Sequence, residues 1–353
     1  MKHYLIPILA LLLCFGACGK KAGKPAPAKP KKTRPLTTLT VYSTDRYRSS
    51  GLEKIISDEF FKRTNCRVTT VICGETGDLI RSISTVQDSN NIDLVLGITN
   101  SFAYNDTLLN EFMPISKLGV KSLDTNAEFD PGNRLIPYGF SYLSLIYNTA
   151  QISEPPLSFG SLQGSEYISQ MAVCDPNDNG LGRAMLLWTR ALVGESGYKP
   201  LWNTLKKSCK LFPTFDEALT SLRSGRYSMF LSYHSLSAWL KEQDPEHDTF
   251  KSQILQEGSF RYIEAVGIHK RSANPALARE FIEYLLSPSA QQMVMYKLGL
   301  SPANSKTPLP QSFARIPLYS YSVDDRLTQQ IVGEGIKSWL EFWNSLFNTS
   351  YLP

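Results

Sequence analysis

The chain has 353 residues, 42% of them hydrophobic and 20% charged, with a formal net charge of +5, enough apolar material for one large core or two smaller ones. The positive excess is confined to the amino end: residues 1–36 carry eight Lys/Arg (Lys2, Lys20, Lys21, Lys24, Lys29, Lys31, Lys32, Arg34) and no acid, and residues 37–353 hold 29 basic against 32 acidic residues, a net −3. A mildly acidic body lacks the basic footprint that nucleic-acid binding requires and tolerates a cationic ligand.

Lys2 and His3 open a basic head, an apolar run covers residues 5–15, and the small pair Gly16-Ala17 precedes Cys18. This is the arrangement of a secretory signal over residues 1–18; the run is too short for a bilayer-spanning helix, which takes about 20 apolar residues. Small residues directly before a cysteine suit the peptidase that releases bacterial lipoproteins, making Cys18 the lipidated terminus; the alternative is an ordinary signal cut elsewhere, near Cys14. Residues 19–36, mostly Lys, Pro, Ala and Gly, have neither core material nor helical period and read as an extended basic tether close to anionic headgroups. The expected location is outside the cytoplasm, lipid-anchored to a bacterial membrane and facing the periplasm.

Beyond the tether, residues 39–43 read as a short strand, and Leu52, Ile55, Ile56 and Phe60 recur at helical spacing. Residues 67–73 form the next strand, Leu79, Ile80, Ile83 and Val86 the next helix, and 92–98 a fully buried strand. This switching between periods of two and 3.6 predicts a βαβαβ unit on a parallel sheet. A second series comes after Pro155-Pro156: strands at 171–175, 209–212 and 227–233, with helices at 183–192 and 215–222. Two long β-prone segments with an internal glycine, 138–147 and 261–268, are candidates for strands that cross between two lobes. The closing helices, 275–286 and 327–347, are amphipathic, and the latter's stripe of Ile331, Ile336, Trp339, Phe342 and Trp343 is expected to pack on the first lobe.

Cys66, Cys73, Cys174 and Cys209 contain no C-x-x-C pair, and only His234, His247 and His269 accompany them after the tether, so no zinc site is visible. An intervening strand would keep Cys66 and Cys73 beyond disulfide reach, which predicts buried free thiols. G-x-S-x-G, H-E-x-x-H and Walker patterns are absent, and Gly180-x-Gly182 lacks the third glycine of a dinucleotide turn; His234 reads as a structural or rim residue. These points argue against an enzyme.

The segments "LTVYSTD", "GETGDLIRSI", "IDLVLGI", "IPYGFSYLSLIYN", "DPNDNGLGRAMLLW", "LSYHSLSAW" and "NPALAREFIEYLLSPSAQQ" occur in that order. Over about residues 38–315 they resemble the bacterial type II periplasmic binding proteins, closest to their thiamine-binding members. The last segment is shared with ferric and polyamine binders; "DPNDNGLGRAMLLW" and "LSYHSLSAW" point to thiamine. The resemblance implies an α/β fold of the periplasmic-binding-protein-like II class, with a first lobe of 37–137 plus 269–353 and a second of 138–268, joined by crossing strands around a ligand cleft. It also implies a monomer without cofactor or catalysis that holds thiamine or a thiamine phosphate and docks on an inner-membrane permease with its ATPase subunit.

A quaternary nitrogen donates no hydrogen bond, so aromatic faces must hold it, at roughly 0.5–2 kcal/mol each. On the resemblance, Tyr233 matches a tyrosine that closes on thiamine, Phe215 stands at a tryptophan, and Trp239 falls at a further tyrosine, although core packing accounts for Trp239 equally well. Asp45, Glu75 and Thr76 lie at strand ends, where ligands of open α/β sheets gather. Glu75 resembles the family's pyrimidine-contacting aspartate, while Thr76, Gly77 and Asp78 also suit a helix start. Asn177 to Gly180 precede a helix whose N–H groups could receive a phosphate or hydroxyl, but Asp178 would repel phosphate unless it turns away. The sequence departs from the family at Thr44 and in the Gly299-Leu300 region, where aromatics are missing; Tyr47 or Tyr138 are the substitutes. The competing readings are ferric iron, for which no Tyr-Tyr pair exists, a polyamine, a hydrolase, and a non-transport surface lipoprotein.

Overall fold

In the computed structural model, which describes residues 34–85, 91–116, 118–120, 122–316 and 322–348, the first period switch builds β1 (Thr37–Ser43), α1 (Asp45–Ser49), α2 (Leu52–Thr64), β2 (Cys66–Ile72), α3 (Thr76–Ser84), β3 (Leu94–Thr99) and α4 (Asp106–Leu109). The signal, Cys18 and nearly all of the tether lie outside the described residues, as does Val86. After β4 (Ile136–Asn148), the second series runs β5 (Met171–Cys174), α5 (Gly180–Leu205), β6 (Cys209–Phe212), α6 (Phe215–Arg223), β7 (Met229–Tyr233), α7 (Ser235–Gln243) and β8 (Phe250–Gln253). The chain then forms β9 (Arg261–Ile268), α8 (Pro275–Leu285), α9 (Pro288–Leu298), β10 (Ser301–Pro302), α10 (Gln311–Ala314) and α11 (Gln329–Phe347).

Both halves repeat one topology. β1 lies parallel between β2 and β3, and β5 lies parallel between β6 and β7. The strand order β2-β1-β3-β9-β4-β7-β5-β6 joins them through two antiparallel strands. β4 is the longer bridge: Ile136 to Tyr142 pair with β9, and Leu143 to Tyr147 pair with β7. These are the two crossing segments expected from the sequence. Because the sheet is continuous, residues 35–353 hold together as one compact unit.

Two packing expectations change. The apolar stripe of α11 is buried against α5: Trp343 meets Trp202 edge-on with centroids 4.7 Å apart, Phe342 meets Tyr198 at 5.6 Å, and Trp339 Nε1 donates to Glu195 Oε2 at 3.1 Å. The cause is a break in α5 at Gly194 (φ 69°, ψ −175°), after which Tyr198 and Trp202 lie on a stretch that meets α11; Ile331 stays exposed. Amphipathicity dictates that a stripe is covered, and not by which neighbour. All four described cysteines are free, but only Cys66 and Cys174 are buried, Cys73 and Cys209 being half-buried.

Candidate functional site

Strand ends and helix starts of both halves meet at one seam. Glu75 caps α3, its backbone N–H donating to Asp78 Oδ2 at 3.1 Å in a reciprocal capping box. Asn179 caps α5 by accepting from the N–H groups of Leu181 and Gly182 at 2.9 and 3.0 Å, which frees its Nδ2 to donate across the seam to Glu75 Oε2 at 2.9 Å. The chains approach closely enough for Gly77 N–H to donate to Asp178 O at 2.8 Å and Ser101 Oγ to Gly180 O at 2.9 Å. Glycine is required at both places: a Cβ on Gly77 would lie 2.8 Å from Asp178 Cα, and one on Gly180 would lie 2.5 Å from Thr99 Cγ2. Asp178 itself turns away to pair with Arg81 at 2.7 Å.

Three rings stack behind this seam. Phe215 at the start of α6, Tyr233 at the end of β7 and Tyr262 on β9 lie nearly parallel, with centroids 5.7 and 5.5 Å apart and planes 6° apart. Against them lies Arg46 of α1, its guanidinium 3.8 Å from the centroid of Phe215 and 5.6 Å from that of Tyr233. Its Nη2 donates to Tyr233 Oη and Leu298 O, each at 2.5 Å, and its Nη1 is 3.6 Å from Glu264 Oε1. Tyr138 and Tyr262 hydroxyls donate to the two Glu264 oxygens at 2.7 and 3.0 Å, so this buried carboxylate is fully partnered, as a charge in a dry interior must be.

The electrostatics follow from burial. Burial opposes the charge on Arg46, but Tyr233, Glu264 and Tyr262 outweigh it and hold the guanidinium charged. Burial also pushes the Tyr233 hydroxyl up to about 12 against the pull of Arg46, which keeps it a neutral donor. Glu75 is pushed by burial up to about 8, Arg46 pulling it down while Asp45, Asp216 and Asp78 push it further up. Between the halves remains a cavity of about 20 Å³ bounded by Glu75, Thr76, Gly180, Phe215, Tyr262 and Glu264, room for one water. Arg46, Glu75 and Phe215 also line an open depression of about 410 Å³ with Asp45 and Asp216 at its edge. Aromatic side chains thus stand beside carboxylates along the seam between the two halves, the chemistry that a cation receptor requires.

Residues 100–317 match the family model of bacterial extracellular solute-binding proteins. The chain belongs to this family. This solute-binding protein is 24% identical over 286 residues to the thiamine-binding periplasmic protein of Brucella suis, covering 79% of this chain and 84% of that relative. Among solved structures it is similar to a periplasmic thiamin binding protein, with a TM-score of 0.78 at 20% identity over 88% of this chain and 96% of that one. A ferric binding protein from Campylobacter jejuni matches with a TM-score of 0.72 at 15% identity over 87% and 99% of the two chains. At such identities the structural matches establish the fold, the α/β periplasmic-binding-protein architecture expected from the sequence.

Of the residues singled out in the sequence of this solute-binding protein, Glu75, Thr76, Gly180 and Phe215 meet at the small cavity, and Asp45 lies at the adjoining depression. Tyr233 is fully buried one layer behind, sandwiched between Phe215 and Tyr262. Trp239 lines a separate depression of about 440 Å³ that shares Arg46, Phe215 and Asp216, and its Nε1 donates to Tyr296 O at 2.8 Å. Asn177 is not at the cavity: its backbone and Nδ2 both donate to Asp175 Oδ1, and this local turn directs it toward Asn344 of α11 at 2.8 Å, beside a groove of about 930 Å³. Of the proposed substitutes, Tyr138 serves Glu264 and Tyr47 is buried in the core.

Arg46, Tyr262 and Glu264, which stand at this candidate site, were not singled out in the sequence, and Asn179 entered only as part of the 177–180 segment. One signal existed for Glu264, a lone carboxylate inside an apolar strand, which must find a partner. Arg46 stands next to Asp45 with nothing local to mark it. Among the described residues no three His, Cys, Asp or Glu side chains gather as a metal site would require.

Proposed function

We propose that this solute-binding protein captures thiamine outside the cytoplasm and delivers it, chemically unaltered, to the permease and ATPase subunits of an importer. One observation carries the reading: the rings of Phe215 and Tyr262, with Tyr233 stacked behind them, and the carboxylates Glu75 and Glu264 converge at the seam between the two halves, the combination that a permanently charged thiazolium with a polar pyrimidine demands. The relatives named for thiamine support it. Free thiamine is favoured over its phosphate esters, because Asn179 already takes the Leu181 and Gly182 N–H groups at the start of α5 that would otherwise receive a phosphate. The protein acts as a monomer, released from its signal at Cys18, lipidated there and held to the membrane by the 19–36 tether.

The test is calorimetric titration of protein lacking residues 1–36 with thiamine, its mono- and diphosphate, spermidine and ferric citrate. Stoichiometric, tight heat with thiamine alone is the expected result; no heat and no thermal shift with thiamine or either ester overturns the assignment. A polyamine is the second reading, favoured by the Asp45 and Asp216 carboxylates beside Phe215, and stoichiometric spermidine binding would establish it. Radiolabelled palmitate incorporation into intact cells, lost in Cys18→Ala, tests the anchor.

A further inference from the structure

The cation cage is already occupied by a cation belonging to the chain. The Arg46 guanidinium lies 3.8 Å from the Phe215 centroid and 5.6 Å from that of Tyr233, and Phe215 is only 5% exposed, so the face that Arg46 covers is closed to a ligand while Arg46 stays. The enclosed cavity between the halves has room for one water, and the open depressions beside it reach Phe215 only past Arg46. Glu264 is a single carboxylate shared by Arg46 and two tyrosine hydroxyls; a second cation against the same group would meet repulsion. Arg46 also sits on the far side of the seam from the rings it touches: its backbone belongs to α1 in the first half, Phe215 and Tyr233 to the second.

We infer that Arg46 is a resident surrogate ligand: it latches the unloaded halves together, and solute entry is an exchange of one planar, delocalised monocation for another. The inference rests on the cation-capture reading of this site and narrows its substrate class. Parting of the halves withdraws Arg46 with α1 and bares Phe215 and Tyr233 in the same movement. An incoming ligand must then replace what the guanidinium supplied, a flat charge on Phe215 and a counter-charge for Glu264. A compact ammonium does so poorly, for the same reason that lysine does not replace a stacked, forked arginine.

The experiment is calorimetry of wild type, Arg46→Ala and Arg46→Lys, each with thiamine and with methylguanidinium. A ligand's apparent affinity is reduced by the fraction of protein not competent to bind it. If the self-occupied state outweighs the vacated one ten to one, Arg46→Ala tightens thiamine binding about tenfold, and Arg46→Lys, which keeps the charge beside Glu264 but loses the fork, about threefold. Methylguanidinium should bind the alanine variant, displace thiamine from it, and leave wild type untouched.

Weaker thiamine binding in both variants overturns the exchange and leaves thiamine capture standing. Methylguanidinium binding to the alanine variant, with thiamine ignored by all three proteins, overturns thiamine and leaves the exchange standing; no binding of either ligand overturns both. Should the alanine variant fail to fold with Glu264 unpaired, the lysine variant decides: tighter thiamine binding supports the exchange, equal or weaker binding overturns it.

Discussion

α3 and α6 are nine-residue helices that come after the second parallel strand of their respective halves, and they deliver opposite chemistry to the seam. At the start of α3 stands Glu75, a carboxyl that caps its own helix and reaches Asn179 of the other half. At the start of α6 the capping is left to Thr214, whose side chain accepts from Glu217 N–H at 3.2 Å, and the next residue, Phe215, is free to present a ring. The same pattern extends beyond these helices: the first half contributes Asp45, Arg46 and Glu75, the second contributes Phe215 and Tyr233, and the crossing strand β9 supplies one of each kind in Tyr262 and Glu264. The topology is duplicated but the chemistry is divided unevenly: the rings of Phe215 and Tyr233 come from the second half, which also brings Asp216 beside Phe215, whereas Asp45 and Glu75 face them from the first.

The harshest way to break this division is to remove the middle ring. Tyr233→Ala should cost about 3–5 kcal/mol of folding stability, as large-to-small changes in a packed aromatic core do, and should abolish detectable thiamine binding; denaturant melts and calorimetry measure the two effects. A gentler variant keeps every ligand contact and blocks only the meeting of the halves. Gly77→Ala should lower affinity at least about tenfold, roughly 1.4 kcal/mol, because its Cβ would press on the Asp178 backbone, and small-angle scattering should report a wider unloaded protein. Unchanged affinity in that variant would show that shutting is not part of capture.

The charged half can be probed through pH. Glu75 is raised from 4.5 to about 8 in the shut form, with Arg46, Asp45, Asp216 and Asp78 facing it. A raised pKa favours the protonated form on closing, so this contribution to the shut, unloaded state is complete below about pH 4.5 and lost as pH climbs through 8. A cation beside Glu75 reverses the preference and expels the proton. Affinity for thiamine should therefore rise about fiftyfold between pH 6 and 8, the ionised fraction of Glu75 in the unloaded protein growing from about 1% to about half, with proton release read from the buffer dependence of the binding heat, and Glu75→Gln should flatten the profile. Smallest of all, Arg81→Ala removes a partly exposed pair with Asp178 and should change thermal stability by no more than about 1 kcal/mol.

Much of the fold was legible because hydrophobic periodicity is local: most strands and helices of both series form within a few residues of where the switch between alternate and 3.6-residue spacing puts them, but α5 runs to Leu205 past the expected 192, and α7 and α9 were not expected. Glu75, Thr76 and Gly180 were singled out for a related reason, since each stands at a helix start after a strand, and in α/β sheets such starts gather at one edge; Phe215 came from the family resemblance alone. The α11 stripe was visible as a stripe, but its partner was not, because the break at Gly194 that brings Tyr198 and Trp202 to it is a backbone angle rather than a hydrophobicity.

The sequence by itself thus determined the two repeated α/β series, the crossing strands and the kind of side chain available for a cation. Only the tertiary structure decided that Arg46 fills the cage, that Tyr262 and Glu264 complete it, and that Asn177 faces α11. The physical reason is range. A polar group's worth depends on which partner it meets once water is excluded, and the partners here, such as Arg46 and Tyr233 at 187 residues' separation, are brought together across the seam by the fold and by no pattern within either segment.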